Sequence, residues 1–535
     1  MKKNNKKVIL FAVCLAATLQ MSAQETYINS QVIKEDLNGT ARYVGMGGAM
    51  EALGADISTI GSNPAGIGLF RSSKANISFG FVSQENAKDF GGAQQTTMSF
   101  DQAGFVYSKR TNTRSFINLA FNYHKSSNFD YILSAASQLK GASQNKLSYL
   151  KYQYGMFDMD QNTQGEFQGY ESEHSDYLSN RYNAVDYVYY NSLMPTVGTD
   201  GSVTYGYNDA SGYDMRRAQT GYVGEYDFNA SGNVKDRFYW GITFGIHDVH
   251  YHAFTQYSEQ LVAGANAADA VSITLTDTRS ITGTGFDLKA GFIFRPVEES
   301  PFRIGLSVST PTWYDLKSSY STMLDNNTVP LFGIGERAYY NDTYKFKLYT
   351  PWRFGLSAGT TVGNYLAIGA SYEYADYPST DTRVTTDGYY DYDGFYYENS
   401  ESDKMMNDAT KQTLKGVNTL KLGVEFRPDP TIAVRLGYNY VSPMYKTNAT
   451  KGTAVDATSN AYTSTTDYTN WESTNRLTAG LGYTLDKFTV DLAYQYSAQN
   501  GKFHPFDNLG GENPSSAVTV KNNRHQLLLT LGYTF

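Results

Sequence analysis

Residues 487–496 read Lys-Phe-Thr-Val-Asp-Leu-Ala-Tyr-Gln-Tyr, and this stretch decides the fold. From Phe488 onward every second residue is large and apolar or aromatic, while the residues between them are polar or small. Successive side chains of a β-strand point to opposite faces of the sheet, so this strand has one apolar and one polar face. Residues 431–440 repeat the pattern. Strands of about ten residues with this alternation are typical of transmembrane barrels, where lipid contacts the apolar face.

The same period of two predicts fourteen strands in the chain. They are residues 75–83, 100–108, 115–124, 221–229, 237–247, 283–294, 302–310, 351–361, 365–374, 417–426, 431–440, 475–484, 487–496 and 524–535. The connections between them alternate between long and short without exception. Transmembrane barrels have long extracellular loops, short periplasmic turns and an even number of strands. The sequence therefore predicts an all-β fold, a fourteen-stranded antiparallel transmembrane β-barrel over residues 75–535.

Seven long extracellular loops follow from these strand limits. They are residues 84–99, 125–220, 248–282, 311–350, 375–416, 441–474 and 497–523. Within the second of them, residues 128–150 place apolar side chains near helical spacing, which predicts a short helix over the barrel mouth. The last strand ends on Phe535, an apolar-every-second pattern that resembles the sorting signal of outer-membrane barrels.

The N-terminus predicts export. Four lysines precede an apolar run from Val8 to Leu19, and Ser22-Ala23 follow, so residues 1–23 are predicted to be a secretory signal peptide. The only cysteine, Cys14, lies in that segment, which excludes disulfides and thiolate metal sites from the mature chain. Removing four lysines from 44 basic residues leaves 40 against 52 acidic ones, a formal charge of −12. Nucleic acid is therefore not an expected partner.

Residues 24–74 are rich in glycine and carry few apolar anchors. The glycines are Gly45, Gly47, Gly48, Gly54, Gly61, Gly66 and Gly68. So many glycines disfavour a helix bundle or a regular strand pair, and the segment cannot form a core of its own. Its charges suit a polar lumen. We therefore predict a loop-rich hatch that lies inside the barrel.

This segment contains three further elements, which read Ala-Arg-Tyr-Val-Gly-Met-Gly-Gly-Ala at 41–49, Ala-Asp-Ile-Ser-Thr at 55–59 and Asn-Pro-Ala-Gly-Ile-Gly at 63–68. These elements resemble the FadL/TodX family of outer-membrane transporters for hydrophobic compounds. Further similarities at residues 283–286, 303–311 and 436–440 extend the resemblance over nearly the whole mature chain. The resemblance implies a monomeric fourteen-stranded barrel with a lumenal hatch. It also implies diffusion of long-chain fatty acids or other hydrophobic molecules inward through a lateral opening.

The expected location is the outer membrane of a Gram-negative bacterium, with membrane lipid and lipopolysaccharide as surroundings. No cofactor is expected. The sequence contains no nucleophile elbow, zinc helix or phosphate-binding loop, so an enzyme is not expected. Two other functions stay open, a general porin and an adhesin or host-interaction barrel that displays its loops. A porin lacks a hatch, whereas the loop lengths suit an adhesin as well as a transporter.

Asn63, Pro64, Ala65 and Gly66 are the candidate gate. Proline fixes φ, glycine permits a tight reversal, and asparagine can hydrogen-bond the backbone of the turn. The alternative is a turn that only leads the chain into the first strand.

Lys421 and Arg435 are the candidate ligand site. Both are predicted to face inward from adjacent strands joined by the turn at 427–430, so that together they could hold a ligand carboxylate. The alternative is a ladder of lumenal charges neutralised by Glu425 or by Asp56 of the hatch.

His247, His250 and His252 form a histidine cluster that is a weak candidate for a metal or haem site. In an extended strand His250 and His252 share a face and His247 does not, so a three-histidine site would need the chain to turn. The alternative is that these side chains only face water, and no metal is expected.

Overall fold

The computed structural model describes residues 24–161, 167–170, 181–262, 271–327, 335–390, 392, 394, 396–452 and 457–535. The predicted signal peptide, residues 1–23, lies outside the described residues. Among the helices described, none is long and apolar enough to cross a membrane.

The described helices are α1 (Gln24–Val32), α2 (Ala41–Gly45), α3 (Gln144–Gln153), α4 (Ala184–Tyr190) and α5 (Lys404–Thr413). The first strands are β1 (Lys74–Gln84), β2 (Thr96–Asn112), β3 (Ser115–Asn128), β4 (Tyr131–Ala142), β5 (Asp158–Gln161), β6 (Phe167–Tyr170), β7 (Pro195–Val197), β8 (Val203–Tyr205), β9 (Ala210–Val234), β10 (Phe238–Leu261), β11 (Val271–Phe294) and β12 (Arg303–Ser309). The others are β13 (Trp313–Asn326), β14 (Arg337–Tyr349), β15 (Arg353–Val362), β16 (Leu366–Ala375), β17 (Asp381–Tyr390), β18 (Tyr396–Ser402), β19 (Val417–Asp429), β20 (Ile432–Val441), β21 (Tyr468–Leu485), β22 (Phe488–His504), β23 (Val518–Lys521) and β24 (Arg524–Thr534).

The strands close into a ring because β1 pairs with both β2 and β24. The last pairing runs from Lys74 opposite Thr534 to Gln84 opposite Arg524. Around the ring the antiparallel order is β1, β2, β3, β9, β10, β11, β12, β15, β16, β19, β20, β21, β22 and β24. Closure pairs the first strand of the ring with the last, so the sheet has no open edge strand. Each of the fourteen predicted strands overlaps one of these, and the predicted fourteen-stranded antiparallel barrel is confirmed.

The wall has an apolar outer face, as the alternation predicts. In β22 the side chains of Val490, Leu492 and Tyr494 are exposed, while Asp491 and Ala493 between them are buried against the interior. The same alternation occurs in β10, where Ile242 and Phe244 face outward and Thr243 between them faces inward. The barrel therefore has an apolar outer surface and a polar interior.

Several strands are longer than predicted at the end that carries the long loops. β9, β10 and β11 each reach 24 or 25 residues. β4, β13, β14 and β17 continue four wall strands beyond short breaks. The apolar alternation fades in these extensions, because they lie above the apolar belt and pair through their backbones. Periodicity alone therefore does not find them.

The predicted helix over residues 128–150 is wrong. Residues 131–142 form β4, which pairs with β9, and the helix begins only at Gln144, where the Ser143 side chain caps α3. β9 continues past Gly221 and offers backbone groups that need partners, and β4 supplies them. The near-helical spacing of apolar residues could not reveal this long-range pairing.

Candidate functional site

The N-terminal segment, residues 24–73, contacts opposite walls of the barrel from the inside. α1 lies near the long-loop end, where Glu25 pairs with Arg279 of β11 at 3.0 Å. α2 packs against β20, β21, β22 and β24, whereas the 3-10 turn Pro64–Leu69 packs against β3, β9, β10 and β11 on the facing wall. The segment therefore descends through the interior before it enters β1 at the short-turn end.

Several glycines of the wall contact this segment closely, and Gly291 and Gly437 are two of them. A β-carbon at Gly291 would lie 2.0 Å from Asn63 Oδ1, and one at Gly437 would lie 2.2 Å from the backbone nitrogen of Gly47. Any side chain at either position would displace the N-terminal segment. The inward-facing glycines of the wall are therefore part of the docking surface, a role that alternation of polarity does not reveal.

The candidate gate docks on this wall as a capped turn. Asn63 Oδ1 accepts a hydrogen bond from the Ala65 backbone nitrogen at 3.1 Å, and Pro64 occupies the first position of the 3-10 turn. Gly66 packs against Thr59, where a β-carbon would lie 2.4 Å from the hydroxyl oxygen. All four residues of Asn63-Pro64-Ala65-Gly66 are buried. The structure thus gives the element a fixed position against the wall near the short-turn end.

The candidate ligand residues face inward, as predicted, and both have carboxylate partners. Lys421 Nζ lies 2.7 Å from Glu51 Oε1 of the N-terminal segment, and it borders the interior cavity. Arg435 pairs with Glu425 and with Asp491, each at 2.6 Å. The cavity lining includes Lys421 but not Arg435.

Arg435 belongs to a larger group, here called the arginine cluster: Arg42, Glu425, Arg427, Arg435 and Asp491. Arg42 of the N-terminal segment donates to both carboxylate oxygens of Glu425, at 2.9 and 3.1 Å. A bidentate guanidinium–carboxylate pair is strong and fixes orientation. The Glu425 partner predicted from sequence is present, whereas Asp56 accepts a hydrogen bond from Thr40 and, in the described part of the chain, forms no ion pair with Lys421 or Arg435.

A cavity of about 210 Å³ lies between the N-terminal segment and the wall. Its apolar lining includes Leu37, Phe129, Tyr377 and Trp471. Its charged lining includes Lys34, Glu35, Asp36, Arg217, Arg353, Glu373, Lys421, Arg476 and Arg524. The cavity can therefore contact both an apolar body and a charged head of a ligand.

Lys34, Arg476 and Arg524 surround a single carboxylate, Asp36, beside this cavity. Arg476 Nη2 lies 3.1 Å from Asp36 Oδ1. Burial lowers the pKa of the Lys34 ammonium to about 8, the Asp36 carboxylate opposes this shift, and the two guanidinium groups add to it. Lys34 is half-buried and borders the cavity. This corner of the cavity carries an excess of positive charge.

Beside the cavity, β2 and β3 are adjacent in the wall but are not paired along their whole length. The β2–β3 ladder extends from the short turn up to Gln102 opposite His124 and ends there. Above this level residues 96–100 of β2 pair only with β1, and residues 125–128 of β3 pair only with β9. Side chains alone bridge the two strands, since Lys125 Nζ donates to Ser99 Oγ at 2.9 Å and the rings of Phe100 and Tyr123 stack at 5.6 Å.

Asn38 of the N-terminal segment lies on the inner side of this unpaired region. Its amide nitrogen donates to Asp101 Oδ1 at 3.0 Å and to the backbone oxygen of Lys125 at 3.1 Å. One side chain of the segment thus joins the separated edges of β2 and β3. Sequence analysis did not find this contact, because neither a motif nor a spacing marks it.

The three predicted histidines are not brought together. His247 faces inward and is buried, whereas His250 and His252 are exposed on the outer face of β10, where His250 pairs with Asp248 at 2.8 Å. β10 stays extended through this region, so the turn that a three-histidine site needs does not occur. The residues that His247 does meet, Glu225, Asp287 and their neighbours, come from other strands.

The sequence matches no protein-family model, and comparison with curated proteins finds no match. Solved structures to which the chain is similar include the toluene transporter TbuX of Ralstonia pickettii, at 12% identity and a TM-score of 0.47, covering 93% of this chain and 99% of that chain. A FadL homologue of Pseudomonas aeruginosa is 11% identical with a TM-score of 0.49, covering 94% and 99%. The CymD monoaromatic hydrocarbon channel is 10% identical with a TM-score of 0.47, covering 94% and 99%. By its own strand pairing, the chain is a closed fourteen-stranded antiparallel barrel that is similar in fold to these channels.

Proposed function

We propose that this chain is an outer-membrane channel for the passive uptake of hydrophobic small molecules, such as long-chain fatty acids or aromatic hydrocarbons. The N-terminal segment acts as the hatch, and the ligand leaves sideways through the wall. The observation that carries the proposal is the unpaired region between β2 and β3, which lies beside the interior cavity.

The apolar outer surface supports a membrane setting. A wall with exposed large apolar side chains on many strands and polar side chains inside is the arrangement of a transmembrane barrel. The long loops then face the exterior and the short turns face the periplasm, which places both the hatch-to-barrel junction and Phe535 on the periplasmic side. We expect a monomer, surrounded by membrane lipid and lipopolysaccharide.

The direction of exit indicates the class of ligand. The segment between Ala41 and Leu69 packs on facing walls below the cavity, so we infer that it closes the axial route. A solute in the cavity then leaves through the unpaired wall into the surrounding hydrocarbon. Only an apolar molecule gains free energy on that path, because a polar one would lose its hydration. A barrel that is closed along its axis also argues against a general porin. The interior gives no support to the other alternative, an adhesin.

A gate is proposed at Asn38, with Asn63-Pro64-Ala65-Gly66 as the fixed base of the hatch. Asn38 holds the inner edges of the unpaired region together through two hydrogen bonds. A small displacement of the segment would release both, while the glycine cradle at Gly291 keeps the base in place.

The experiment is a reversible cross-link across the unpaired region. Ser99→Cys and Lys125→Cys introduce two thiols at residues whose side chains now touch. The native sequence contains only Cys14, within the predicted signal peptide, so the new pair would be unique in the exported protein. A short thiol-specific linker should reduce uptake of radiolabelled oleate and toluene by cells to the level without the channel. Reductive release of the linker should restore it.

The matched control is Ser357→Cys with Ser371→Cys. These residues lie opposite each other on the paired strands β15 and β16 and also face the interior. Cross-linking them should leave uptake unchanged. Normal uptake by the Ser99–Lys125 cross-linked protein would contradict lateral release, and equal loss in both pairs would assign the effect to general stiffening.

A further inference from the structure

Six ionisable side chains converge on the inner faces of β3, β9, β10 and β11. They form the histidine–carboxylate cluster: His124, Glu225, Asp227, His247, Asp287 and Lys289. Cross-strand register brings them together, since Glu225 lies opposite His124 on one side and His247 on the other. We propose that this cluster binds a divalent metal ion of the zinc class, held by imidazole nitrogens and carboxylate oxygens. The site does not depend on the proposed channel function.

The donor atoms already lie at nearly the spacing of a coordination shell. Glu225 Oε2 is 3.6 Å from His124 Nε2 and 3.7 Å from His247 Nδ1. His124 Nδ1 is 3.5 Å from Asp227 Oδ2, and ligand atoms of His124, Glu225 and Asp227 all lie within 4.8 Å of one another. Two tetrahedral ligands at zinc distances are about 3.4 Å apart. One imidazole binds a metal through one nitrogen, so with His124 Nε2 as the ligand, the Asp227 side chain must rotate towards Glu225 to complete the shell.

His247 is oriented as a metal ligand usually is. Its Nε2 lies 3.1 Å from Asp287 Oδ2, while its Nδ1 points towards Glu225. Histidines that bind a metal through one nitrogen commonly donate the other N–H to a carboxylate, which fixes the ring and its tautomer. Asp287 in turn accepts from the Thr312 hydroxyl at 3.3 Å. The cluster thus contains His247 as a metal-ligand candidate and Asp287 as the carboxylate that orients its ring.

The charge of the cluster calls for a further cation. Three carboxylates face one ammonium, Lys289, and all four side chains are 3% exposed or less. With neutral imidazoles the group carries a formal charge of −2, and buried charge without compensation is costly. A divalent ion would neutralise it.

Three polar atoms of the cluster are unsatisfied. Asp227 Oδ2, His247 Nδ1 and Asp287 Oδ1 are buried, and none has a hydrogen-bond partner among the described residues. Buried polar atoms are nearly always paired, so such atoms indicate a missing partner. An ion has a route to them, because His124 and Glu225 border the interior cavity.

Imidazole and carboxylate donors select the metal class. Calcium and magnesium prefer shells made of oxygen alone, whereas imidazole suits zinc, cobalt, nickel and copper. Lys289 competes with the ion, because its ammonium lies 3.2 Å from Asp227 Oδ1 and also contacts Glu225. Removing that ammonium should therefore strengthen metal binding.

The test is a titration of the folded, chelator-treated protein in detergent with Co²⁺, followed by competition with Zn²⁺. The protein should bind one Co²⁺ per chain with the visible absorption bands of nitrogen and oxygen ligation, and Zn²⁺ should remove them. His124→Gln and Asp227→Asn should abolish the bands. His250→Gln is the matched control, because that side chain lies on the outer face of β10, and it should bind as the unaltered protein does.

The variant Lys289→Gln distinguishes loss of the metal site from misfolding of the protein. Tighter Co²⁺ binding by this variant is expected, and a misfolded protein would not show it. Heat-dependent electrophoretic mobility checks that each variant is folded. No saturable absorption in the folded protein, or equal affinity of His124→Gln and His250→Gln, would overturn the proposal.

Discussion

The arginine cluster and the histidine–carboxylate cluster occupy facing walls of the same interior, and they differ in how their charge is compensated. In the first, Arg42 of the N-terminal segment inserts between wall residues and shares Glu425 with Arg427 and Arg435. In the second, Gly61 of the segment lies next to His124, and the segment forms no ion pair with the cluster among the described residues, although the Glu35 carboxylate acts on His124 at longer range. The comparison shows that the N-terminal segment forms ion pairs with one wall, whereas the wall's own side chains carry the charge of the other cluster.

The largest expected effect is a difference in the free energy of unfolding between variants of the two clusters. Glu425→Gln removes the carboxylate that Arg42, Arg427 and Arg435 share, and only Arg435 keeps an ion pair, with Asp491. Breaking a buried ion pair costs about 3–5 kcal/mol in the free energy of unfolding. Glu225→Gln should cost less, because Lys289 keeps Asp227 and Asp287. Urea unfolding of both variants in lipid vesicles measures the difference. Equal losses would mean that the two walls do not differ as described.

The next effect concerns the two candidate ligand residues. Lys421 borders the cavity and Arg435 is enclosed by carboxylates, so we expect only Lys421 to reach a ligand. Loss of one charge-assisted hydrogen bond, about 1.5–3 kcal/mol, corresponds to roughly 10-fold or more. Lys421→Gln should therefore weaken oleate uptake by about that factor and spare toluene.

Arg435→Gln should instead change the uptake of oleate and of toluene to the same extent, because Arg435 shares Glu425 with Arg42 of the proposed hatch. If Lys421→Gln reduces oleate and toluene uptake equally, or neither, the pair at 421 and 435 belongs to a structural ladder. Uptake of the two radiolabelled ligands by the same cells provides the measurement, with surface-exposed protein as the reference.

The smallest effect is a pH dependence that comes from Lys34. In the folded protein the pKa of its ammonium is about 8, below the ordinary value near 10.4. Between these values the unfolded chain holds a proton that the folded protein has released, so stability rises with pH across that window. Lys34→Met should raise the urea midpoint at pH 7 and flatten its rise towards pH 9.5. If Lys34→Met and the unaltered protein have the same urea midpoint at every pH, the pH dependence does not come from Lys34.

The strands that span the apolar belt could be predicted from the sequence, because alternation in polarity is local. The inward positions of Lys421, Arg435 and Glu425 followed from the same alternation. The extensions above the belt, such as β4, could not be predicted, because they are fixed by pairing with a distant strand. Alternation of polar and apolar residues therefore identifies only the part of a strand that has lipid on one side and the polar interior on the other.

The candidate sites were less predictable for the same reason. The sequence grouped His247 with His250 and His252, yet His247 shares Glu225 with His124, which lies on a strand more than a hundred residues away. Asn38 and the wall glycines act through close contact with the N-terminal segment, and that contact depends on the closed ring. Motifs therefore indicated the hatch, whereas only the assembled barrel shows what the hatch touches.

The most direct test of the account measures whether the N-terminal segment closes the axial route. Residues 24–66 would be deleted with the signal peptide retained, and single-channel conductance of the purified barrel would be compared with that of the full chain in planar bilayers. The account predicts a folded barrel that passes small ions freely, whereas the full chain conducts them poorly. Equal conductance of the two proteins would contradict it.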